Sequence, residues 1–207
     1  MAETFFTETQ RDALQEISNL AMGLAAKGLS ELLDAFIELS VPRVRSVAIE
    51  AAASALREMT GLDGVVTAVR QSFRSEIKGE ALIICRSGEI ADLAVLARGP
   101  DGQSPEEAMG ETELAFDIAN VVTGACVSSI LDQLGSTPVF SPPGLIGGEM
   151  SLDEIFLREG VDWDMALLIE VNFSLEDQNF RVHLVMLMAQ ESIRKVRDAI
   201  DVLLSEP

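Results

Sequence analysis

A carboxylate and a carboxamide, three residues apart, occur twice in this sequence in the same setting. Glu16 and Asn19 form the first pair, and Asp117 and Asn120 form the second pair 101 residues later. A carboxamide is not a general base, but it can accept from and donate to one water molecule at a fixed angle. Such a group suits a hydrolysis whose difficult step is orienting water for in-line attack on phosphorus. The neighbouring carboxylate would form an ion pair with a cation on a partner.

Further residues share the 101-residue spacing. An acidic residue lies four positions before each carboxylate, a glycine lies four positions after each asparagine, and 22 residues separate each asparagine from a proline. These residues are Asp12, Gly23 and Pro42 in the first copy, and Glu113, Gly124 and Pro143 in the second. Positions i, i+4, i+7 and i+11 lie on one stripe of a helix, so each set except its proline is predicted to form a polar, solvent-facing stripe.

The two glycines on these stripes require a reason, because glycine inside a helix costs about 1 kcal/mol relative to alanine. Close approach of a partner's backbone would explain Gly23 and Gly124. Packing against the protein's own sheet would explain them equally well, and the sequence leaves both explanations open.

The apolar periodicity predicts two similar series of elements. Long helices are expected over 8–36 and 105–134, beginning at the capping boxes Thr7–Gln10 and Ser104–Glu107. In the first helix the apolar face is predicted to contain Leu14, Ile17, Ala21, Leu24, Ala25 and Leu29. Each long helix precedes a short extended segment, a shorter helix, two strands in a hairpin and a last helix. The predicted ranges are 46–60, 64–75, 79–86 and 89–97, then 151–159, 165–174, 180–189 and 191–204.

These series predict an α+β fold made of two internally duplicated α-β-α-β-β-α halves with pseudo-two-fold symmetry. Strands paired as hairpins imply an antiparallel sheet, with the helices expected on one side of it and the two long helices packed there. We expect a single domain over residues 1–207, made of two repeats at about 8–97 and 105–205 that share one core. The turn-rich segment 98–105 links them.

The charge of the chain excludes several classes of partner. The net charge is −19, which opposes binding to nucleic acid and to anionic membranes. Strong acidity with only 3 lysines against 12 arginines predicts a halophilic source, because molar salt would screen the self-repulsion. No uninterrupted apolar run reaches about 18 residues, and the acidic N-terminus lacks the basic region of a signal peptide, so a cytoplasmic protein is predicted.

Cysteine and histidine give no sign of a metal site. Cys85 and Cys126 occur without a CxxC motif and are predicted to be buried, reduced thiols. His183, the only histidine, is predicted to be a half-buried strand residue. Metal binding by this chain alone is therefore not expected.

The duplicated pattern resembles the signature of the CheC-type chemotaxis phosphatases, relatives of CheX and FliY, which reads Asp/Ser-x3-Glu-x2-Asn-x22-Pro. The first copy matches at every position, whereas the second has Glu113 in place of Asp or Ser and Asp117 in place of Glu. The segment EISNLAMGLAAKGLSELL also resembles the family's first helix. The similarity covers about residues 8–205.

The resemblance implies a pseudo-two-fold α+β fold and a substrate, the phosphorylated CheY-type response regulator. Asn19 would orient the water that attacks the aspartyl phosphate, and Glu16 would pair with the receiver's lysine; Asn120 and Asp117 would have the same roles in the second half. Asp12, Pro42, Glu113 and Pro143 would flank the two sites. The resemblance implies no cofactor in this chain, since the receiver carries Mg²⁺, and it adds CheD as a partner.

The two sites are not expected to be equal. Aspartate is one methylene shorter than glutamate, so Asp117 would reach about 1 Å less far, and a misplacement near 1 Å can cost about a hundredfold in rate. We therefore expect the first site to dominate. The alternative is a non-catalytic binding or adaptor protein that holds CheY or CheD and regulates receptor adaptation.

Overall fold

The computed structural model describes residues 5–97, 110–157, 163–170, 173–175 and 180–205. The helices are α1 (Glu8–Leu33), α2 (Ala52–Thr60), α3 (Glu89–Ala97), α4 (Glu111–Val122), α5 (Ser128–Gln133), α6 (Leu152–Phe156) and α7 (Gln190–Ser205). The strands are β1 (Ile37–Leu39), β2 (Arg43–Ala48), β3 (Val66–Arg74), β4 (Lys78–Arg86), β5 (Val139–Phe140), β6 (Gly144–Met150), β7 (Met165–Glu170), β8 (Phe173–Leu175) and β9 (His183–Met188). A π-helical turn, Thr123–Val127, joins α4 to α5 in one continuous helix.

The main sheet is antiparallel throughout. Its order is β2-β7-β9-β4-β3, and both β5 and β6 pair with the remaining side of β3. The two central strands pair over six residues, with Ala81 opposite Met186. A separate two-stranded sheet is formed by β1 and β8. The mixed helix and antiparallel-sheet class predicted from the sequence is confirmed.

Helices cover both faces of the sheet. In β3, Val69 and Phe73 belong to the cluster with α1, α4 and α7, whereas Val66 and Ala68 belong to the cluster with α2 and α6. The prediction that the helices lie on one side is therefore wrong for α2 and α6. The reason is that the central strands are apolar on both faces, as in β9, where all six residues are buried, so each face requires a cover. His183 itself is 2% exposed, more buried than predicted.

Helix α1 runs antiparallel to the continuous helix α4–α5 on the first face. Near the end of α1, a Cβ built on Gly28 would lie 2.8 Å from Cγ1 of Val121. Nearer its middle, Sγ of Cys126 lies 3.9 Å from the carbonyl oxygen of Ala21. Small residues along α1 thus permit close contact between the two helices, and this contact fixes which residues face outward.

Local signals placed three helix ends correctly. The capping boxes Thr7–Gln10 and Ser151–Glu154 are both present, and Gly135 has the positive φ of 71° expected after a helix. The predicted helix 46–60 is partly wrong, because Arg43–Ala48 pairs with β7 and α2 begins only at Ala52. The predicted Ser104–Glu107 box and the 98–105 link lie outside the described residues.

The helix Glu111–Gln133 has the length and composition of a membrane span, although the sequence contains no uninterrupted apolar run of that length. Its most apolar window is 56% buried inside the protein. It packs against α1 and the sheet, as the core helix of a soluble fold does, and such a helix passes the same test.

Both cysteines are buried as predicted, and burial raises the pKa of each thiol to about 12. At pH 8 only about one thiol in ten thousand would be ionised, and the thiolate is the reactive form. We expect the native protein to react with no equivalents of a thiol-directed reagent within minutes, and with two equivalents in concentrated urea. Rapid reaction of the native protein would contradict the packing described for Cys85 and Cys126.

Candidate functional site

The first polar stripe lies on the solvent side of α1. Asp12, Glu16, Asn19 and Gly23 are all exposed. The opposite side of the same helix is buried in the core and includes Leu14, Ile17, Ala21 and Met22. The solvent-facing stripe predicted from the spacing is therefore present on α1.

Asn19 lies on this stripe, and its carboxamide is exposed to solvent. Within the described part of the chain, the Asn19 side chain has no hydrogen-bond partner. Leu20 and Leu24 flank it and are 54% and 57% exposed. Leu24 was predicted to be on the buried face, and that prediction is wrong because the core contact of this turn is made by Ala25. The face around Asn19 thus combines a free carboxamide with apolar surface.

The two glycines are not explained by packing within the protein. A Cβ built on Gly23 or on Gly124 would meet nothing within 4 Å. The explanation by close packing on the protein's own sheet is therefore excluded. The alternative explanation, close approach of a partner's backbone, stays a prediction.

The second stripe lies on α4 and is less open. Glu113 and Asn120 are exposed, but Asp117 is half-buried. Nε2 of Gln71, on β3, donates to Oδ1 of Asn120 at 3.0 Å. The same Nε2 donates to the carbonyl oxygen of Ser141 at 2.9 Å. The Asn120 carboxamide is therefore held by the sheet beneath it, unlike that of Asn19.

The helix geometry also differs between the two stripes. α1 is α-helical over Glu8–Leu33, whereas the turn Thr123–Val127, which contains Gly124, is π-helical. Such turns occur frequently at functional sites. The first stripe is therefore α-helical through Gly23, whereas the second leaves regular α-helical geometry between Asn120 and Gly124.

The two prolines interrupt edge strands and do not extend the helix faces. Pro42 is buried between β1 and β2, and Pro143 is half-buried directly before β6. Proline lacks an N–H donor and is tolerated at such edges. Pro143 follows the segment whose carbonyl oxygen, at Ser141, accepts from Gln71, so in the second half the proline segment is tied to the asparagine.

The two asparagines cannot form one composite site. Because Gly28 lies opposite Val121 and Ala21 opposite Cys126, Asn19 and Asn120 are separated along the helix axes by about ten residues. This is roughly 15 Å at 1.5 Å per residue. An open groove of about 550 Å³ lies on the same pair of helices and is lined by Leu24 and by residues of the π-turn and α5, but by neither asparagine. The surface therefore offers two separate contacts.

The described residues contain no group of three or more His, Cys, Asp or Glu side chains that could hold a metal ion. The chemistry that the stripes can supply is hydrogen bonding by a carboxamide and ion pairing by a carboxylate.

The sequence of this chain was compared with those of known proteins. No family model matches the chain. The flagellar motor switch phosphatase FliY of Bacillus subtilis (strain 168) is 25% identical over 174 residues, which make up 82% of this chain and 43% of that protein. The chain thus spans less than half the length of this curated relative. Its sequence is similar to that of a protein of the CheC/CheX/FliY type, in agreement with the resemblance of the duplicated motif.

Solved structures of other proteins have a fold similar to that of this chain. Thermotoga maritima FliY has a TM-score of 0.68 at 20% identity, covering 95% of this chain and 98% of that one. The middle domain of FliM from H. pylori has a TM-score of 0.61 at 10% identity, covering 93% and 99%. The fold of these two structures therefore extends over almost the whole chain.

Gln71 contacts Asn120 of the second stripe and was not among the residues predicted from the sequence. In β3 it occupies the same side as Val69 and Phe73, which face the long helices. A glutamine at an apolar strand position was the available signal, because a buried carboxamide requires hydrogen-bond partners.

A pair of substitutions tests whether Gly23 serves the fold. Gly23→Ala should raise the free energy of unfolding by about 0.5–1 kcal/mol, because it removes the cost of a helical glycine and meets no neighbour. The matched variant Gly28→Ala gains the same propensity but overlaps Val121, and overpacking typically costs about 1–3 kcal/mol. We expect Gly28→Ala to be the less stable of the two in urea denaturation. Destabilisation by Gly23→Ala would contradict the absence of neighbouring atoms within 4 Å of a Cβ at this position.

Proposed function

We propose that this protein dephosphorylates a CheY-type response regulator by hydrolysing its aspartyl phosphate. The observation that carries the proposal is the exposed Glu16–Asn19 pair on α1, whose carboxamide has no hydrogen-bond partner among the described residues. The similarity to a curated flagellar motor switch phosphatase supports the same reaction class.

The proposed chemistry needs little beyond positioning. The oxygen of the Asn19 carboxamide accepts a hydrogen bond from the attacking water and leaves a lone pair of the water oxygen aimed at phosphorus. Glu16, one turn earlier, pairs with a lysine of the receiver and fixes the docking orientation. The open backbone at Gly23 lets the receiver approach, and exposed Leu20 and Leu24 supply apolar contact. Mg²⁺ is carried by the receiver in this proposal, and the protein acts in the cytoplasm.

We also propose that the two halves are copies of one unit. The sheet order supports this, because β2 with β6, β7 with β3 and β9 with β4 occupy equivalent places from the two ends. Residues 101 apart lie in those paired strands, such as Arg43 in β2 and Gly144 in β6. The second site, Asp117 with Asn120, then has the same origin but weaker activity.

A second candidate function is a binding or adaptor role without hydrolysis. The similarity of the fold to FliM middle domains supports it, since solved structures of H. pylori FliM include complexes with FliG and with SpeE. In this role the exposed faces would hold CheY or CheD. Acyl-phosphate decay on the regulator, with and without CheD, distinguishes this role from catalysis.

The two asparagines provide the first test of catalysis. Asn19→Ala should reduce the acceleration of receiver dephosphorylation by about a hundredfold, because a misplacement of the attacking water by about 1 Å can cost that factor. Asn120→Ala, the matched change on the other face, should reduce it much less. The measurement is the decay of ³²P-labelled acyl phosphate on the cognate regulator.

The control for this assay is circular dichroism and thermal unfolding of both variants. Asn19→Ala should match the parent, because its side chain is exposed and has no hydrogen-bond partner among the described residues. Asn120→Ala should stay folded and lose about 1 kcal/mol of stability, because buried Gln71 loses one acceptor. A larger loss from Asn120→Ala would reverse the ranking of the sites. Absence of any acceleration by the parent protein, with CheD present as well, would remove the catalytic proposal and leave the adaptor role.

The net charge of −19 generates a prediction about salt. A receiver's phosphorylation pocket is itself acidic, so long-range repulsion should weaken binding at low ionic strength. The Debye length falls from about 10 Å at 0.1 M to about 3 Å at 1 M salt. We expect the dissociation constant for the receiver, measured by calorimetry, to fall over that range. A steep rise would mean that local ion pairs such as that of Glu16 dominate the encounter.

A further inference from the structure

The carboxamide of Gln71 lies under α4 in a place otherwise filled by apolar side chains. Gln71 is 6% exposed, and its neighbours on the same side of β3 are Val69 and Phe73. Its Nε2 donates to two acceptors, Oδ1 of Asn120 and the carbonyl oxygen of Ser141. Its Oε1 is buried and has no partner among the described residues. The position costs desolvation that a leucine would avoid, so the amide requires an explanation.

The hydrogen-bonding partners fix the orientation of both amides. The main-chain carbonyl of Ser141 can only accept, so the Gln71 atom that faces it is the nitrogen. That nitrogen can only donate, so the Asn120 atom that faces it is Oδ1. Ser141 is itself fixed, because its N–H donates to the carbonyl oxygen of Ser72 at 2.9 Å. The orientation of Asn120 is therefore determined by the backbone of an edge strand.

The consequence is a difference in what the two asparagines present to a partner. Since Gln71 lies in the sheet beneath α4, Oδ1 of Asn120 points inward, and the outward group is its Nδ2 with two hydrogens. A donor directed at the attacking water would compete for the lone pair that must point at phosphorus. The same donor suits an anionic oxygen, such as a carboxylate or phosphoryl oxygen.

We propose that Gln71 is a positioning residue that holds Asn120 with its donor outward, so that the second face binds an anionic oxygen of the receiver without orienting the water. This inference rests on the proposed function for its consequence in catalysis. The two hydrogen bonds by which Gln71 holds Asn120 and Ser141, called the lock below, do not depend on the proposed function.

The lock is tested without any assay of activity. In the ¹⁵N-labelled parent protein, side-chain amide relaxation should show Asn120 to be more ordered than Asn19. Gln71→Met, which keeps the length and suits an apolar strand position, should lower the order of Asn120 to that of Asn19. Ser72→Ala, one residue away and exposed, is the matched control and should leave Asn120 unchanged. Equal mobility of the two asparagines in the parent protein would overturn the lock even if Gln71→Met failed to fold.

The catalytic consequence is tested in an Asn19→Ala background, where only the second face remains. Adding Gln71→Met should raise the residual dephosphorylation rate about fivefold, the factor that corresponds to release of one ordinary hydrogen bond. Adding Asn120→Ala to that double variant should remove the gain. An unchanged or lower rate after Gln71→Met would overturn the inference while leaving the proposed function intact.

The two proposals fail in different ways. If the parent protein does not accelerate dephosphorylation at all, the proposed function fails, and the amide relaxation data alone decide the role of Gln71. If the parent is active and Asn120 becomes mobile without a gain in rate, the lock exists but does not limit the second site, and the stated inference is wrong.

Discussion

The close antiparallel contact between α1 and α4–α5 determines most of what the protein presents to a partner. Alanines and Gly28 on α1 let the two helices approach until the backbone of one reaches side chains of the other, as at Val121 and Cys126. Both helices also bury apolar residues against β3, β4, β7 and β9. With two sides of each helix occupied, a helix can turn only its remaining stripe outward. The polar stripes are therefore exposed as a consequence of packing.

The sheet imposes a second constraint, through its edges. At one edge β1 and β2 are separated near Pro42, and at the other β5 and β6 are separated near Pro143. An interrupted edge strand leaves main-chain groups without a ladder partner, and these must be satisfied in another way. On the β3 side, Gln71 satisfies the carbonyl of Ser141, and in doing so it reaches Asn120. In the second half, the segment that precedes Pro143 is thus connected to Asn120 through Gln71.

The sequence predicted those parts of the structure that depend on interactions between residues close together in the chain. The capping boxes at Thr7 and Ser151, the hairpin β3–β4 and the polar stripe of α1 follow from side-chain types within one or two turns. Long-range contacts decide the rest. β2 forms because β7 lies beside it, helices cover both faces because the central strands are apolar on both, and Leu24 is exposed because α1 turns Ala25 inward. The Gln71–Asn120 bond joins residues 49 apart in sequence and has no local signature.

The second face differs from the first at both residues of its carboxylate–carboxamide pair, and both differences reduce the freedom of its side chains. Asp117 is shorter than Glu16 and is half-buried, which limits its reach toward a partner's cation. Asn120 is held by Gln71 and is followed by a π-helical turn, whereas α1 continues without one past Asn19. A stripe that only solvated a helix would not require a buried glutamine to fix one of its amides, since water would serve as well. In the proposal made above, a partner meets a fixed donor on the second face and a free carboxamide on the first face. Two contacts about 15 Å apart, one orienting and one reactive, would also hold a docked domain in a single orientation, which a lone asparagine could not do.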